Sequence, residues 1–297
     1  MPTPPISVIV RAKNKADTIG GTLSALRRQS VPAEVIVVDS GSTDGTLDIA
    51  RQWADRVLEI APESFTYGGA LNAGAAVAAA PVHAALSAHC VPESNTWLED
   101  SLRRYERPDV AATNASTWTP LGTLIEGTYW QTLEDVLVDP VWGFSNHAST
   151  WRADVWADFP FREDLGACED KEWSWRVLAA GWTIGYAREL GAPMAHRRSA
   201  GLRPLFQRLT REAEAMVSLG ALQPLTGGAA LRAWWSSFPS ESRKPKFVRR
   251  LSPYRVAELA GAWNGSRLAG PLAGGRPFES LVAAGRPVPN RAYLPWI

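Results

Sequence analysis

A mostly parallel sheet covered by helices, with a helical extension at its C-terminal end, is the α/β fold class that this sequence predicts. Three observations predict it. Short apolar runs rich in β-branched residues recur through the first hundred residues without polar alternation, as in strands buried on both faces. Each run is followed by a stretch whose apolar residues recur at helical spacing. Polar residues gather just after the runs, and a parallel sheet binds its ligands beyond the carboxyl ends of its strands.

Ile6 to Val10 reads as the first strand, followed by Arg11-Ala12-Lys13-Asn14. Ala16 to Arg28 carries Ile19, Leu23 and Leu26 on one helical face. Val35 to Val38 is the second strand and ends at Asp39. Ser40-Gly41-Ser42-Thr43-Asp44-Gly45 is a loop with capping side chains, and Leu47 to Trp53 continues as a helix. Val57 to Ile60 is the third strand. Gly68-Gly69 leads into an alanine-rich helix, Ala70 to Ala80, and Val82 to Leu86 is the fourth strand. Ser94 is the expected cap of a helix through Trp97, Leu98 and Leu102.

The second part is less regular. Val110 to Ala115 reads as a strand, and Gly143-Phe144-Ser145-Asn146-His147 as the approach to another helix. Glu169-Asp170-Lys171-Glu172-Trp173 opens a helix to about Ala180, stopped by Gly181, and Thr183 to Ala187 is a strand. A long helix is expected from Leu202 to Leu219, and another near Pro253 to Ala262.

Composition narrows the function classes. The chain has 297 residues, 45% hydrophobic and 21% charged, enough for a packed core. The formal net charge of +1 offers no global field for nucleic acid, and none is expected as a partner. Cys90 and Cys168 form neither a Cys-x-x-Cys pair nor a disulfide framework, which suits reduced thiols in a cytoplasm. No secretory signal is evident at the start, and no stretch approaches the ~20 apolar residues of a spanning helix.

The carboxylate of Asp39, at a strand tip, suits a hydrogen bond from a base or ribose, and the Ser-Gly-Thr stretch after it exposes backbone N–H groups at a helix start. An ordinary capped turn is the alternative. The first strand lacks the glycines of a dinucleotide fingerprint, and no Gly-Lys-Ser/Thr forms a P-loop. Gly68-Gly69 allows close backbone approach before a helix. Glu169 and Asp170 at a helix start are either a general-base pair or a complement to the helix dipole.

Taken in order, these stretches resemble glycosyltransferase family 2, with its GT-A type, Rossmann-like fold. Ser7 to Asn14 and Val35 to Gly45 are similar to its opening, and Phe65 to Gly74 to its glycine-containing loop and asparagine, here Asn72. Leu86-Ser87-Ala88-His89-Cys90-Val91-Pro92 stands at its Asp-x-Asp motif, Glu169-Asp170 at its catalytic acidic pair and His196 at its late histidine. The resemblance runs from about Ile6 to Arg211. It implies a catalytic domain over 1–200, with a nucleotide-sugar-binding part at about 1–115 and an acceptor-binding part at about 116–200. Residues 201–297 form the helical extension.

The implied reaction is an inverting transfer from a nucleoside-diphosphate sugar, uridine or thymidine favoured, to an acceptor hydroxyl. Asp170 is the expected base and Glu169 a positioning group. Arg11, Asn14, Asp39, Ser42, Asp44, Gly68, Gly69, Asn72, Ser87 and Arg197 are expected at the donor. The departure is Ser87-Ala88-His89 in place of Asp-x-Asp. His89, with His196, either helps hold a divalent cation, Mn²⁺ favoured over Mg²⁺ for its tolerance of imidazole, or hydrogen-bonds the diphosphate directly. Two rival functions remain: a nucleotide-sugar-binding scaffold without turnover, and a nucleotidyltransferase, though the latter needs a Gly- and Lys-rich loop that Arg11 to Asn14 does not supply. The alanine-, arginine- and glycine-rich composition suggests a bacterial source and a polysaccharide or secondary-metabolite acceptor. Trp234, Trp235 and Phe238, followed by Arg243, Lys244, Lys246, Arg249 and Arg250, are read as a packed helix with a basic loop, with peripheral membrane contact as the alternative.

Overall fold

The computed structural model describes residues 3–193, 201–228, 253–272 and 275–283. Contacts divide the chain into two compact units, 1–165 with 169–197, and 166–168 with 198–297.

The first unit is built on one sheet. Its strands are β1 (Ile6–Ala12), β2 (Ala33–Asp39), β3 (Arg56–Glu59), β4 (Val82–Ser87), β5 (Val110–Ala115), β6 (Thr128–Gln131), β7 (Ala148–Arg152) and β8 (Thr183–Ala187). Among the described residues they lie in the order β3-β2-β1-β4-β7-β5-β8-β6. β1 pairs in parallel with β2 and β4, β2 with β3, and β5 with β8, while β7 runs antiparallel to β4 and β5, and β6 to β8. The sheet is therefore mostly parallel, with two reversed strands.

The helices of this unit are α1 (Ile19–Arg27), α2 (Thr46–Trp53), α3 (Tyr67–Val77), α4 (Trp97–Arg103), α5 (Leu133–Val138), α6 (Ala153–Asp158) and α7 (Glu169–Ala179). The period of two in β1 divides its side chains between two layers. Ile6, Val8 and Val10 enter a core with Ile19, Leu23 and Leu26 of α1 and Trp97 and Leu98 of α4. Ile9 faces the other way, against Gly74 of α3. Burying such a side chain stabilises the fold by about 1.5–3 kcal/mol, so both layers reinforce one register. The polar Glu34 is held inside the amino edge by Ser7 Oγ (2.6 Å) and the Ala79 N–H (2.8 Å).

Three expectations are corrected. The segment after His147 opens as strand β7, not a helix. Its Ser149-Thr150-Trp151 fill the gap between β4 and β5, where Thr150 Oγ1 lies 2.7 Å from Thr113 Oγ1, and only then does α6 begin. The third helix starts at Tyr67, because Thr66 Oγ1 accepts the Gly69 N–H at 2.9 Å as its cap, so Gly68 and Gly69 lie in the first helical turn rather than before it. The cap position of α4 falls on Thr96, and Ser94 Oγ instead accepts the Thr96 N–H at 3.0 Å.

The second unit contains α8 (Leu202–Ser218), α9 (Pro253–Leu268) and α10 (Pro277–Ala283). Helix α9 runs past the expected Ala262 because Gly261 and Gly265 serve packing rather than termination. A methyl at Gly265 would meet the Thr210 carbonyl oxygen at 2.0 Å, and one at Gly261 the Phe206 carbonyl oxygen at 2.7 Å. The two glycines lie one turn apart on one face and let the backbones of α8 and α9 approach. Among the described residues, no helix is long and apolar enough to cross a membrane. The aromatic and basic segment from Trp234 to Arg250 lies outside them.

Candidate active site

Six strands point their carboxyl ends toward the same edge. Because β7 is reversed, its start lies there too, beside the end of β4. The Ser87 N–H donates to the His147 carbonyl at 2.8 Å, which joins the two strands at this edge. Residues separated by more than 130 positions meet here.

The loops after β1 and β2 are fastened together. Asn14 has φ 50° and lies across the second loop, where its Oδ1 accepts the Thr43 N–H at 2.8 Å and its own N–H donates to Ser42 Oγ at 2.8 Å. Lys15 N–H donates to Thr46 Oγ1 (2.7 Å), and Ala16 N–H to Asp44 Oδ2 (3.1 Å). Hydrogen bonding to Thr46 holds the exposed Asp44 carboxyl below its usual range. Asp39 is fully buried. Its carboxylate accepts the N–H groups of Gly41 (2.9 Å) and Ser42 (2.8 Å), and Ser42 Oγ at 2.5 Å. Asp39 thus builds the loop, and the exposed outer side of the loop is carried by Asn14, Thr43 and Asp44.

The acidic pair opens α7. Glu169 is 5% exposed. Arg11 Nη1 and Asn146 Nδ2 donate to Glu169 Oε1, each at 3.4 Å. Burial, and then the charge of Asp170, push the Glu169 carboxyl up to about 7, against the pull of Arg11. The half-buried Asp170 accepts the N–H of Asn146 at Oδ2 (3.2 Å) and of Lys171 at Oδ1 (2.8 Å). The Lys171 ammonium is turned away to the Gly143 carbonyl at 2.8 Å. Arg11, expected at the donor, has its guanidinium occupied by Glu169, the Tyr67 carbonyl (3.1 Å) and the Asn146 carbonyl (3.3 Å), and lies 5.3 Å from the Tyr67 ring centroid.

His89 stands in the turn after β4. Burial, and then Lys15 and the His147 ring nearby, lower its imidazole pKa, which favours the neutral form. His147 is also lowered, mainly by burial of the ring, although Asp170 acts in the opposite direction. Ser145 Oγ lies 2.9 Å from His147 Nδ1. Cys90, next to His89, is a buried thiol pushed up to about 11, and so offers no nucleophile. Among the described residues, no three His, Cys, Asp or Glu side chains converge to hold a metal. One neutral imidazole with Lys15 beside it fits a cation only where a diphosphate supplies most of the ligands. His196 and Arg197 lie outside the described residues.

Two expected donor contacts are structural in this arrangement. Asn72 Oδ1 accepts from Trp156 Nε1 (2.9 Å) and the Phe161 N–H (3.1 Å), while its Nδ2 donates to the Phe161 carbonyl and Glu163 Oε1, both at 2.8 Å. Its amide has no capacity left for a ligand. Gly68 has no side chain because a methyl there would lie 2.2 Å from the Arg162 carbonyl oxygen. Sequence reasoning missed Asn146 and His147 because the segment directly after them, strand β7, was read as a helix.

A mixed sheet in this order, with the loops after β1 and β2 fastened together and an acidic pair at the same edge, is the arrangement of GT-A glycosyltransferase domains. Residues 7–126 match the model of glycosyl transferase family 2. It is 30% identical over 201 residues to glycosyltransferase AglE of Haloferax volcanii, a match covering 63% of this chain and 66% of AglE, so just under two thirds of that relative is spanned. The fold is similar to that of mannosyltransferase PcManGT from Pyrobaculum calidifontis, solved with GDP-Man and Mn²⁺, with a TM-score of 0.57 and 18% identity over 96% of this chain and 77% of that one. It is also similar to residues 1–349 of TarS from S. aureus in complex with UDP-GlcNAc, with a TM-score of 0.52 and 15% identity over 88% of this chain and 90% of that one.

Proposed function

We propose that this protein is an inverting glycosyltransferase that moves a sugar from a nucleoside diphosphate to an acceptor hydroxyl. The observation that carries the reading is Asp170: a half-buried carboxylate at the carboxyl edge, oriented by the N–H groups of Asn146 and Lys171 and near enough to the His147 ring to act on its charge. In the proposed reaction the acceptor hydroxyl loses its proton to Asp170 as its oxygen forms a bond to the anomeric carbon. The bond from that carbon to the diphosphate breaks on the opposite face, and the diphosphate leaves with the electron pair.

The Asn14–Thr43–Asp44 surface holds the nucleoside, with Asp39 supporting it from below. His89 and Lys15 face the diphosphate. Preorganised donors of this kind stabilise developing charge at no reorganisation cost during the reaction. A divalent cation would be held by His89 and His196 together with the diphosphate, and would supply neutralisation of the leaving group's charge. Mn²⁺ is favoured, and the Mn²⁺ in the PcManGT structure supports this reading. UDP- and dTDP-sugars are the favoured donors, in line with the UDP-GlcNAc bound to TarS. The acceptor, a polysaccharide or secondary-metabolite hydroxyl, is received by the segment 117–164, where Trp118, Leu121 and Leu124 are exposed. We place the reaction in the cytoplasm.

The test is a thermal-shift screen against UDP-, dTDP- and GDP-sugars with and without Mn²⁺, followed by donor turnover. A stabilising donor that is also turned over is the expected result. Ser87-Ala88-His89 in place of Asp-x-Asp favours one rival, a binding scaffold. Stabilisation without turnover under every condition establishes that rival, and no stabilisation by any nucleotide sugar removes both.

A further inference from the structure

One polar residue at the carboxyl edge is tied to both carboxylates of the acidic pair: Asn146. It is 2% exposed. Its N–H donates to Asp170 Oδ2 (3.2 Å), its Nδ2 donates to Glu169 Oε1 (3.4 Å), and its Oδ1 accepts from Ser149 Oγ (3.3 Å). Its carbonyl accepts from Arg11 Nη2 at 3.3 Å, while Arg11 Nη1 reaches Glu169 Oε1 at 3.4 Å. A closed ring results: Arg11, Asn146 and Glu169 each touch the other two, and Asp170 hangs from Asn146.

We infer that Arg11 and Asn146 are positioning residues, which hold Glu169 and through Asn146 set the orientation of Asp170, rather than donor-binding groups. The inference rests on the reading of Asp170 as the base. The geometry has a plain purpose. Two adjacent carboxylates in a half-dry site repel each other, and a cation against the buried Glu169 offsets the repulsion that raises its carboxyl. Asn146 cannot be exchanged for an acidic residue without adding a third negative charge, and its side-chain amide, held by Glu169 and Ser149, fixes the backbone whose N–H reaches Asp170. Arg11 is suited to the task because its planar fork reaches a carboxylate and a carbonyl together.

The charged and titratable groups facing the pair are Arg11 from β1, His147 before β7, Lys171 on α7 and Tyr186 on β8. Of the cations among them, Arg11 hydrogen-bonds Glu169, so its removal shifts the proton equilibrium of the pair toward the protonated form. Activity that needs ionised Glu169, the carboxylate that Arg11 pairs with in the wild type, then switches on at higher pH.

The experiment compares the full chain with Arg11→Met, Arg11→Lys and Asn146→Ala, after circular dichroism has shown that each folds. In Arg11→Met, kcat is expected to fall by about a hundredfold, the order of loss that misplacing a reacting group by 1 Å produces. Its donor KM stays within about twofold, and the acidic limb of its pH profile rises by about half a unit to one unit, the size of a nearby-charge effect. Arg11→Lys keeps the cation but not the fork, so kcat falls while the acidic limb stays near its wild-type position. Asn146→Ala also lowers kcat with donor KM unchanged. A raised donor KM in either Arg11 variant with an unmoved acidic limb overturns the inference and returns Arg11 to the donor. If Arg11→Met does not fold, unchanged kcat in folded Arg11→Lys and Asn146→Ala overturns it as well. The pH dependence of the thermal midpoint gives a readout independent of turnover: Arg11→Met must move its acidic transition upward. A moved transition in a protein that turns over no donor sinks the transferase reading and leaves the charge coupling standing.

Discussion

Asp170 and Glu169 are neighbours in sequence with opposite environments. Asp170 has two N–H donors and partial access to solvent, whereas Glu169 is enclosed and its carboxyl is pushed up to about 7. Asp170→Asn preserves shape and keeps one of the two backbone hydrogen bonds, at a cost in stability of about 1 kcal/mol. Transfer is expected to fall by about 10² to 10⁴, the usual contribution of a general base, while the donor-induced thermal shift survives. Wild-type turnover in the variant removes Asp170 from the role. Glu169 gives a separate prediction about stability. Its folded pKa lies above its unfolded value of about 4.5, so the native state binds the extra proton between the two and stability declines as pH rises through that window toward 7. Below the unfolded pKa the group makes no difference. Glu169→Gln abolishes this decline, and a pH series of thermal melts on the two proteins should diverge progressively from about pH 4.5 to 7.

At the scale of elements, the site depends on how α3 grips the chain that follows α6. Asn72 hydrogen-bonds Trp156, Phe161 and Glu163, and Gly68 packs directly on the Arg162 carbonyl. The start of α3 also offers the Tyr67 carbonyl to Arg11. Asn72→Ala leaves the Trp156 N–H and both Phe161 backbone groups without partners, which costs about 1–3 kcal/mol for each buried group. Gly68→Ala forces a methyl onto backbone that cannot yield, and overpacking costs about 1–3 kcal/mol. Urea denaturation should show both variants destabilised, with unchanged m-values for two-state unfolding. A wild-type midpoint in Asn72→Ala would free that amide for the donor role first expected of it. Strand β7 is the other decisive element, because its reversed direction carries Asn146 and His147 to the edge where β1 and β4 end.

For the whole molecule, a net charge of +1 means that recognition is local rather than driven by a global field. Donor binding should therefore depend weakly on salt, apart from the diphosphate contacts. A cognate donor at a hundred times its Kd stabilises the native state by about 2.7 kcal/mol, well within reach of a thermal-shift measurement. With Mn²⁺ present the shift should grow if His89 and the diphosphate share a cation, and stay constant if the imidazole and Lys15 act on the diphosphate alone.

Local pattern by itself determined the first four strands, the helices between them, the acidic helix start and the family resemblance, since apolar periodicity and capping chemistry act over a few residues. It also marked Asp39, His89, Glu169 and Asp170 as chemistry-bearing positions. Only the tertiary structure decided which of these face solvent and which hold the frame. Asn72 and Arg11 turn inward because their partners come from segments 56 to 158 residues away, a separation over which sequence periodicity carries no information. Likewise, Ser149-Thr150-Trp151 become a reversed strand because the gap between β4 and β5 supplies both sets of backbone partners. That pairing is a property of the sheet, and it places Asn146 against both carboxylates.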